Sequence, residues 1–140
     1  MKPLWILPLW LAAAGAAGAA ETRPEAVVRA KFAAVNRRDL AGVIASYAPQ
    51  ARLTASNFCA PREGLAEVER TYRALFAALP DLAVTLDEVV TQGETVAVRF
   101  RVRSAAAGME VPIADFFTVR NGLIERDDGL FDNGGRPCTP

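Results

Sequence analysis

MEVPIADFFTVRNGLIERDDGLFD, residues 109–132, is the segment from which the architecture of this chain is most directly predicted. Two strand-length runs flank Asn121-Gly122, and an Asn-Gly pair between alternating apolar runs is the strongest short-range signal for a β-hairpin. Side chains two positions apart lie on the same face of a strand. The pattern therefore predicts two inward-facing rows: Val111, Ile113, Asp115, Phe117 and Val119 on the first strand, and Leu123, Glu125, Asp127, Gly129 and Phe131 on the second.

Both rows place acidic side chains among apolar neighbours. An isolated carboxylate is costly to bury, so each one needs either an ionic partner or a solvent-filled cavity. We therefore expect Asp115 and Asp127 to mark a buried ion-pair network or a pocket.

The segments before the hairpin predict three helices and three strands. Apolar residues recur at three-to-four spacing in the helical segments and alternate in the strand segments. The first predicted helix covers Glu25–Asn36, and the third is a long helix from Gly64 to Leu79. Between them a short second helix is capped by Asp39, includes Tyr47 and ends before Pro49. The predicted strands are Arg52–Ser56, Leu82–Asp87 and Val96–Arg103. This order indicates an α+β fold, with three N-terminal helices packed on one face of a mostly antiparallel sheet.

The first twenty residues are predicted to be a secretory signal peptide. A positive start at Met1-Lys2 precedes an apolar run over Leu4–Leu11, and the small residues that follow allow cleavage after Ala19 or Ala20. The alternative is an uncleaved anchor, which is disfavoured because the strongly apolar core is too short to cross a bilayer. We expect residues 21–140 to form a single domain that a bacterium exports to the periplasm or the medium, with no membrane attachment after cleavage.

The composition excludes several classes of function. The chain has 16 basic and 16 acidic residues and no histidine. A balanced charge gives no electrostatic footprint for nucleic acid or an anionic membrane surface. Without histidine, Ser-His-Asp and Cys-His catalysis and His-ligated metal sites are excluded. We therefore expect neither a metal nor a cofactor.

Cys59 and Cys138 are the two cysteines of the chain. In an exported protein a lone pair is best interpreted as one disulfide, which would tie the C-terminal tail to the loop before the long helix. Two unrelated free thiols are the alternative.

The whole mature chain resembles the SnoaL-like, nuclear transport factor 2-like superfamily. The resemblance rests on Ala34–Gly42, Tyr47-Ala48, Ala51, Gly64 before the long helix, Leu79–Leu82 and Gly122–Ile124. It implies a curled sheet that encloses a cone-shaped apolar pocket with the helices, and often a homodimer. The members include polyketide cyclases, dehydratases and ketosteroid isomerases, so the resemblance alone does not assign an activity.

The ketosteroid isomerase branch is similar enough to compare by position. That branch uses a general-base Asp, and an oxyanion hole made of a Tyr and a protonated Asp in the hairpin. Asp115 matches the hairpin Asp, whereas the base position falls on Ala55 or Ser56 and the Tyr position on Lys31. Two of the three catalytic groups are therefore substituted, which argues against steroid isomerisation by that mechanism.

The remaining candidate site combines Lys31, Asp115 and Asp127. Lys31 interrupts the apolar stripe of the first helix and is expected to meet Asp115, while Asp127 faces the same lumen. Burial and a second carboxylate raise the pKa of a carboxyl group, which makes it a usable acid or base near neutral pH. The alternative is a purely structural Lys31–Asp115 ion pair with Asp127 at a wet rim. Asp132 is a weaker candidate because alternation places it on the opposite face from Asp127.

Five aromatic residues are expected to line the pocket, or to belong in part to the ordinary core: Tyr47, Phe58, Phe76, Phe117 and Phe131. Two principal hypotheses follow. The first is an exported protein that binds a small apolar ligand, polycyclic or polyketide-like. The second is an isomerase, cyclase or lyase of a carbonyl-containing small molecule with Asp115 or Asp127 as its acid–base group. A dimerisation module without a ligand is the third and weakest interpretation.

Overall fold

The structure, a computed structural model, describes residues 23–140. The predicted signal peptide, residues 1–20, lies outside the described residues. The helices and strands, in chain order, are α1 (Pro24–Asn36), α2 (Leu40–Ala45), β1 (Tyr47–Ala55), β2 (Arg62–Glu63), α3 (Leu65–Ala78), β3 (Ala83–Gln92), β4 (Thr95–Ser104), β5 (Met109–Arg120) and β6 (Leu123–Leu130). None of the helices in this range is long and apolar enough to span a membrane.

The six strands form one open sheet in the order β2-β1-β6-β5-β4-β3. Every neighbouring pair is antiparallel except β1 and β6, which run parallel. Helix α1 packs against β3, β4, β5 and β6, and α3 packs against β1 and β2. The predicted α+β class and the mostly antiparallel sheet are confirmed.

The hairpin forms around Asn121-Gly122 as predicted. Both turn residues have positive φ, 50° for Asn121 and 75° for Gly122, which an Asn-Gly pair adopts with little strain. The predicted inner row of β5 faces the helices, with Asp115, Phe117 and Val119 buried. The position of the turn and the inward face of β5 are therefore as predicted.

The predicted inner row of β6 is wrong at its start. A register shift between Thr118 and Val119 leaves Glu125 without a direct partner on β5. Ile124 is consequently the buried residue, 0% exposed, while Glu125 pairs with Arg120 at 3.0 Å near the surface. The bulge changes the face of every residue before it and restores the predicted face from Asp127 onward.

The short second helix ends earlier than predicted, and Tyr47 is the first residue of β1. Asp39 caps α2 by accepting a hydrogen bond from the Gly42 amide at 2.9 Å. Beyond Ala45 the chain enters the sheet, because Tyr47 pairs with Ile124 and the Ile124 amide donates to the Ser46 carbonyl at 2.9 Å. This long-range pairing overrides the local helical pattern.

Arg38 fixes the C-terminal end of α3 over the sheet. Its guanidinium donates to the carbonyls of Leu79 at 3.0 Å, Pro80 at 2.7 Å and Phe76. The last carbonyls of a helix lack partners within the helix and carry partial negative charge, so a cation there stabilises the end.

A disulfide joins Cys59 to Cys138, whose Cα atoms are 4.9 Å apart. Backbone bonds extend the link: the Thr139 amide donates to the Asn57 carbonyl at 2.7 Å, and the Cys59 amide donates to the Thr139 carbonyl at 2.9 Å. The tail is therefore held against the loop between β1 and β2.

Candidate functional site

A cavity of about 670 Å³ lies between the helices and the inner face of the sheet. Most of its wall is apolar and includes the aliphatic residues Leu53, Leu75, Leu82, Val84, Val102 and Ile113. Its buried end, which we call the floor, contains Lys31, Asp115 and Asp127. Its open end, which we call the mouth, contains Arg62, Arg70, Thr139 and Pro140.

Asp115 reaches the floor because the strand beside it carries a glycine. Asp115 pairs with Gly129 across β5 and β6, and a Cβ atom at Gly129 would lie 2.6 Å from the Asp115 Oδ1. The absent side chain leaves the space that the carboxyl group fills. Any larger residue at position 129 would displace Asp115.

The Asp115 carboxyl is 6% exposed, and no side chain among residues 23–140 forms a hydrogen bond or ion pair with it. Burial raises the pKa of Asp115 to about 8, and the charge of Asp127 adds to that rise more than Lys31 opposes it. At neutral pH this group is mainly a protonated acid that faces an apolar cavity.

Asp127 has two partners. The Tyr47 hydroxyl donates a hydrogen bond to its Oδ2, and the Lys31 ammonium lies 3.8 Å from the same atom. The Tyr47 hydroxyl also lies 3.0 Å from the Tyr72 hydroxyl. The result is a buried chain from Tyr72 through Tyr47 to Asp127.

Burial raises the pKa of Tyr72 to about 12, although Lys31 opposes the rise. Burial also raises the pKa of Tyr47, and the nearby charge of Asp127 raises it further. Both hydroxyls therefore keep their protons at neutral pH and act as hydrogen-bond donors.

Aromatic rings surround the Lys31 ammonium. Nζ lies 4.1 Å from the centroid of Phe32, 4.8 Å from that of Phe117 and 5.4 Å from that of Tyr72. Burial lowers the pKa of Lys31, but Tyr72, Asp127 and Asp115, which are anionic at the high pH at which a lysine titrates, outweigh burial, so the net pKa is raised. Lys31 is therefore a fixed cation rather than a nucleophilic amine.

The pairing in the site differs from the expected Lys31–Asp115 ion pair. Lys31 pairs with Asp127, and Asp127 is 7% exposed rather than placed at a wet rim. Two groups contact Asp127 directly, the Lys31 ammonium and the Tyr47 hydroxyl, and the Tyr72 hydroxyl contacts that of Tyr47. Asp115 is left as the acid without a partner among the described residues.

The aromatic candidates divide between the cavity and the core. Phe58 and Phe131 line the cavity, whereas Tyr47, Phe76 and Phe117 are buried and are not among its lining residues. Asp132 is exposed and accepts a hydrogen bond from the Gly134 amide at 2.8 Å. Tyr72 was not singled out from the sequence; its hydroxyl within an apolar helical stripe was the available signal, since a buried Tyr needs a partner.

Among residues 23–140, no three His, Cys, Asp or Glu side chains are grouped so that they could hold a metal ion. Arg62 was also missed from the sequence, although its guanidinium lines the mouth. No single-residue pattern marks it, because its position depends on the short strand β2.

Comparisons with known proteins agree with this fold. The sequence profile of the SnoaL-like domain matches residues 28–126. No curated protein is significantly similar in sequence.

Solved structures extend the comparison. A candidate ketosteroid isomerase from Kribbella flavida DSM 17836 is 21% identical, with a TM-score of 0.68 over 86% of this chain and 84% of that one. IdmH, a candidate polyketide cyclase from Streptomyces antibioticus, is 21% identical, with a TM-score of 0.72 over 80% and 94%. An NTF2-like protein of unknown function from Cytophaga hutchinsonii ATCC 33406 is 12% identical, with a TM-score of 0.66 over 79% and 90%. At these identities the similarity establishes the fold alone.

Proposed function

The chain belongs to the SnoaL-like domain family, and we propose that it binds a small apolar molecule, polycyclic or polyketide-like, in a cone-shaped cavity above Asp115. The observation that carries this proposal is the cavity of about 670 Å³ with a mainly apolar wall. Ligand sites of this kind have volumes of roughly 300–1,000 Å³, with few polar groups among apolar ones. The names of structural neighbours, a candidate ketosteroid isomerase and a candidate polyketide cyclase, are consistent with such a ligand.

The test uses a neutral planar probe, 2-(hydroxymethyl)anthracene, and two matched variants. Ala74 and Ala77 are both exposed on α3, but only Ala74 lines the cavity. Ala74→Trp should obstruct the mouth and weaken binding at least tenfold in a fluorescence titration, while Ala77→Trp should leave it within about twofold. A ligand selective for the folded state must also raise the melting temperature. Equal effects of the two substitutions, or no binding at all, would contradict the proposal.

Acid–base catalysis on a carbonyl compound is the second candidate, and the partnerless Asp115 favours it. With a pKa of about 8, Asp115 can donate a proton to a carbonyl oxygen and remove one from the adjacent carbon. Asp127 is less available, because Tyr47 and Lys31 already engage its Oδ2. The reaction class would be isomerisation, cyclisation or lysis without a cofactor.

Exchange of the α-protons of 2-tetralone in D₂O, followed by NMR, tests this candidate without knowledge of the natural substrate. Asp115→Asn should abolish exchange above the buffer rate and leave probe affinity within a few-fold. The matched control is Asp132→Asn, at an exposed position; this variant should catalyse exchange of the α-protons at the rate of the parent protein. Unchanged exchange in Asp115→Asn would exclude the acid–base role.

We also infer that residues 21–140 form one exported domain. The Cys59–Cys138 disulfide supports an oxidising destination such as the periplasm or the medium. Mass spectrometry of the protein recovered from the periplasm should show an N-terminus at Ala20 or Glu21, and an intact Met1 would contradict export by cleavage.

A homodimer is a further proposal, supported by exposed apolar side chains on the outer face of the sheet. Val90 is 55% exposed and Phe116 is 46% exposed. The neighbouring arginines pair within the chain, as Arg101 does with Asp87 at 2.8 Å, so the apolar positions would form the contact. Light scattering at increasing protein concentration should give twice the mass of the chain, and a constant single mass would contradict it.

A further inference from the structure

The mouth of the cavity contains a guanidinium group whose hydrogen bonds are only partly used. Arg62 donates to the Thr71 Oγ1 at 3.0 Å, the Thr139 Oγ1 at 3.1 Å and the main-chain oxygen of Pro140 at 3.1 Å. Its Cζ lies 3.8 Å from the ring centroid of Phe58. A guanidinium has five N–H groups, so these contacts leave two without a partner.

The Nε–H is enclosed by protein atoms and has no acceptor among the described residues. A ligand in the cavity can therefore be bound only by the other free donor, an N–H of Nη1. None of the acidic side chains of residues 23–140 forms an ion pair with Arg62. The positive charge at this point therefore lacks a matching side-chain carboxylate.

The surroundings of Arg62 favour the binding of an anion beside its guanidinium. Burial lowers the pKa of Arg62, and the charge of Arg70 lowers it further, while Glu67 opposes both. Arg70 also lines the mouth, but Glu67 holds it at 2.6 Å. Arg62 is thus the guanidinium of the mouth that a ligand anion would stabilise most.

The sheet register gives the number of strands between Arg62 and the floor. Arg62 on β2 pairs with Leu53 on β1, which pairs with Asp127 on β6, and Asp127 pairs with Phe117 on β5. Asp115 lies two residues from Phe117 on the same strand, so three strand spacings of about 4.8 Å, roughly 14 Å measured across the sheet, separate its strand from that of Arg62. The aliphatic Leu53 lies between the two ends and lines the cavity.

We propose that the ligand is an elongated apolar organic acid whose carboxylate binds Arg62 while its opposite end reaches Asp115. This inference rests on the proposed binding function and specifies the class of ligand. Arginine suits this role because its planar donors match the geometry of a carboxylate, and stacking on Phe58 limits its rotation. A neutral molecule of the same shape would gain only the apolar contacts.

Two probes of the same ring system separate the contributions. Anthracene-2-carboxylate carries the anion, and 2-(hydroxymethyl)anthracene is its neutral counterpart. Fluorescence titration of the full disulfide-bonded protein at low salt should show the carboxylate binding about tenfold tighter than the alcohol. The preference should fall as NaCl rises, because salt screens a partly exposed ion pair.

Arg62→Gln should reduce the preference for the carboxylate over the alcohol to within about twofold, and a cooperative urea transition checks that the variant is folded. Arg73→Gln is the control: it also removes one positive charge, but from a residue of α3 that does not line the cavity. This variant should retain the preference for the carboxylate probe. Equal binding of the two probes to the parent protein, or an unchanged preference in Arg62→Gln, would overturn the organic-acid inference while leaving apolar binding intact. Failure of both probes to bind would overturn the proposed function as well.

Discussion

Replacing Asp115 by Asn should stabilise the protein, and the gain should depend on pH in a defined way. The ordinary pKa of an Asp carboxyl is 3.8, whereas in the folded protein burial raises that of Asp115 to about 8. Between these two values the unfolded chain has released the proton that the folded chain still binds. Stability must therefore fall as pH rises through this window, by about 1.4 kcal/mol per pH unit.

The magnitude follows from the same two values. At pH 7 the difference from 3.8 is about three units, so ionisation in the unfolded state lowers the free energy of unfolding by about 4 kcal/mol. Asn has the shape of the protonated carboxyl but does not titrate. The free energy of unfolding of Asp115→Asn should exceed that of the parent by a small amount near pH 4, and by a growing amount up to about pH 8, above which the difference becomes constant.

Urea denaturation at half-unit intervals from pH 4.5 to 9 measures this difference directly. Asp132→Asn, which removes an exposed carboxyl that does not line the cavity, is the control against which the slope for Asp115→Asn is compared. A flat difference for Asp115→Asn would refute the reasoning, because it would mean that the carboxyl ionises in the folded protein as readily as in the unfolded one. A difference that shrinks with rising pH would refute even its sign.

Three other substitutions test the features that position the site. Gly129→Ala should destabilise the protein by about 1–3 kcal/mol through overpacking against Asp115, and adding Asp115→Ala should recover most of that loss in urea denaturation; additive losses would contradict the contact. Arg38→Ala should lower the free energy of unfolding by about 1–2 kcal/mol, because it leaves the carbonyls at the end of α3 without their donor. The control is Arg37→Ala: the exposed Arg37 lies 3.6 Å from Asp39, so its loss should change the free energy of unfolding by less than about 0.5 kcal/mol. Cys138→Ser should lower the free energy of unfolding by about 4 kcal/mol, because the disulfide closes a long loop of 79 residues. Thermal unfolding with and without a dithiol tests this, and equal melting temperatures would rule out a stabilising disulfide.

The parts of the fold that local signals control were predictable. Asn121-Gly122 fixes its own turn geometry, and Pro80 ends the preceding helix regardless of the rest of the chain. The α+β order and the burial of Asp115 follow from such signals, because they depend only on the spacing of apolar residues and on residues that are close in the sequence. The resemblance to the SnoaL-like superfamily, which the family match confirms, uses similarly local motifs.

The errors occur where residues far apart in the chain meet. Tyr47 leaves its helical pattern because it pairs with Ile124, and Glu125 bulges out because β5 and β6 change register. The sequence allowed Lys31 to meet either acid; in the structure it pairs with Asp127, to which the Tyr47 hydroxyl also donates. No window of sequence contains these contacts, so a periodicity argument cannot rank them.

The parallel pairing of β1 with β6 also has a consequence for how the chain folds. Residues Tyr47–Ala55 (β1) cannot pair with Leu123–Leu130 (β6) until the latter have been synthesised. Such pairing between residues far apart in the sequence slows folding. The N-terminal helices and β1 must therefore remain exposed for most of translation. Because β6 is the last strand to be synthesised, the native sheet forms only when nearly the whole chain is present.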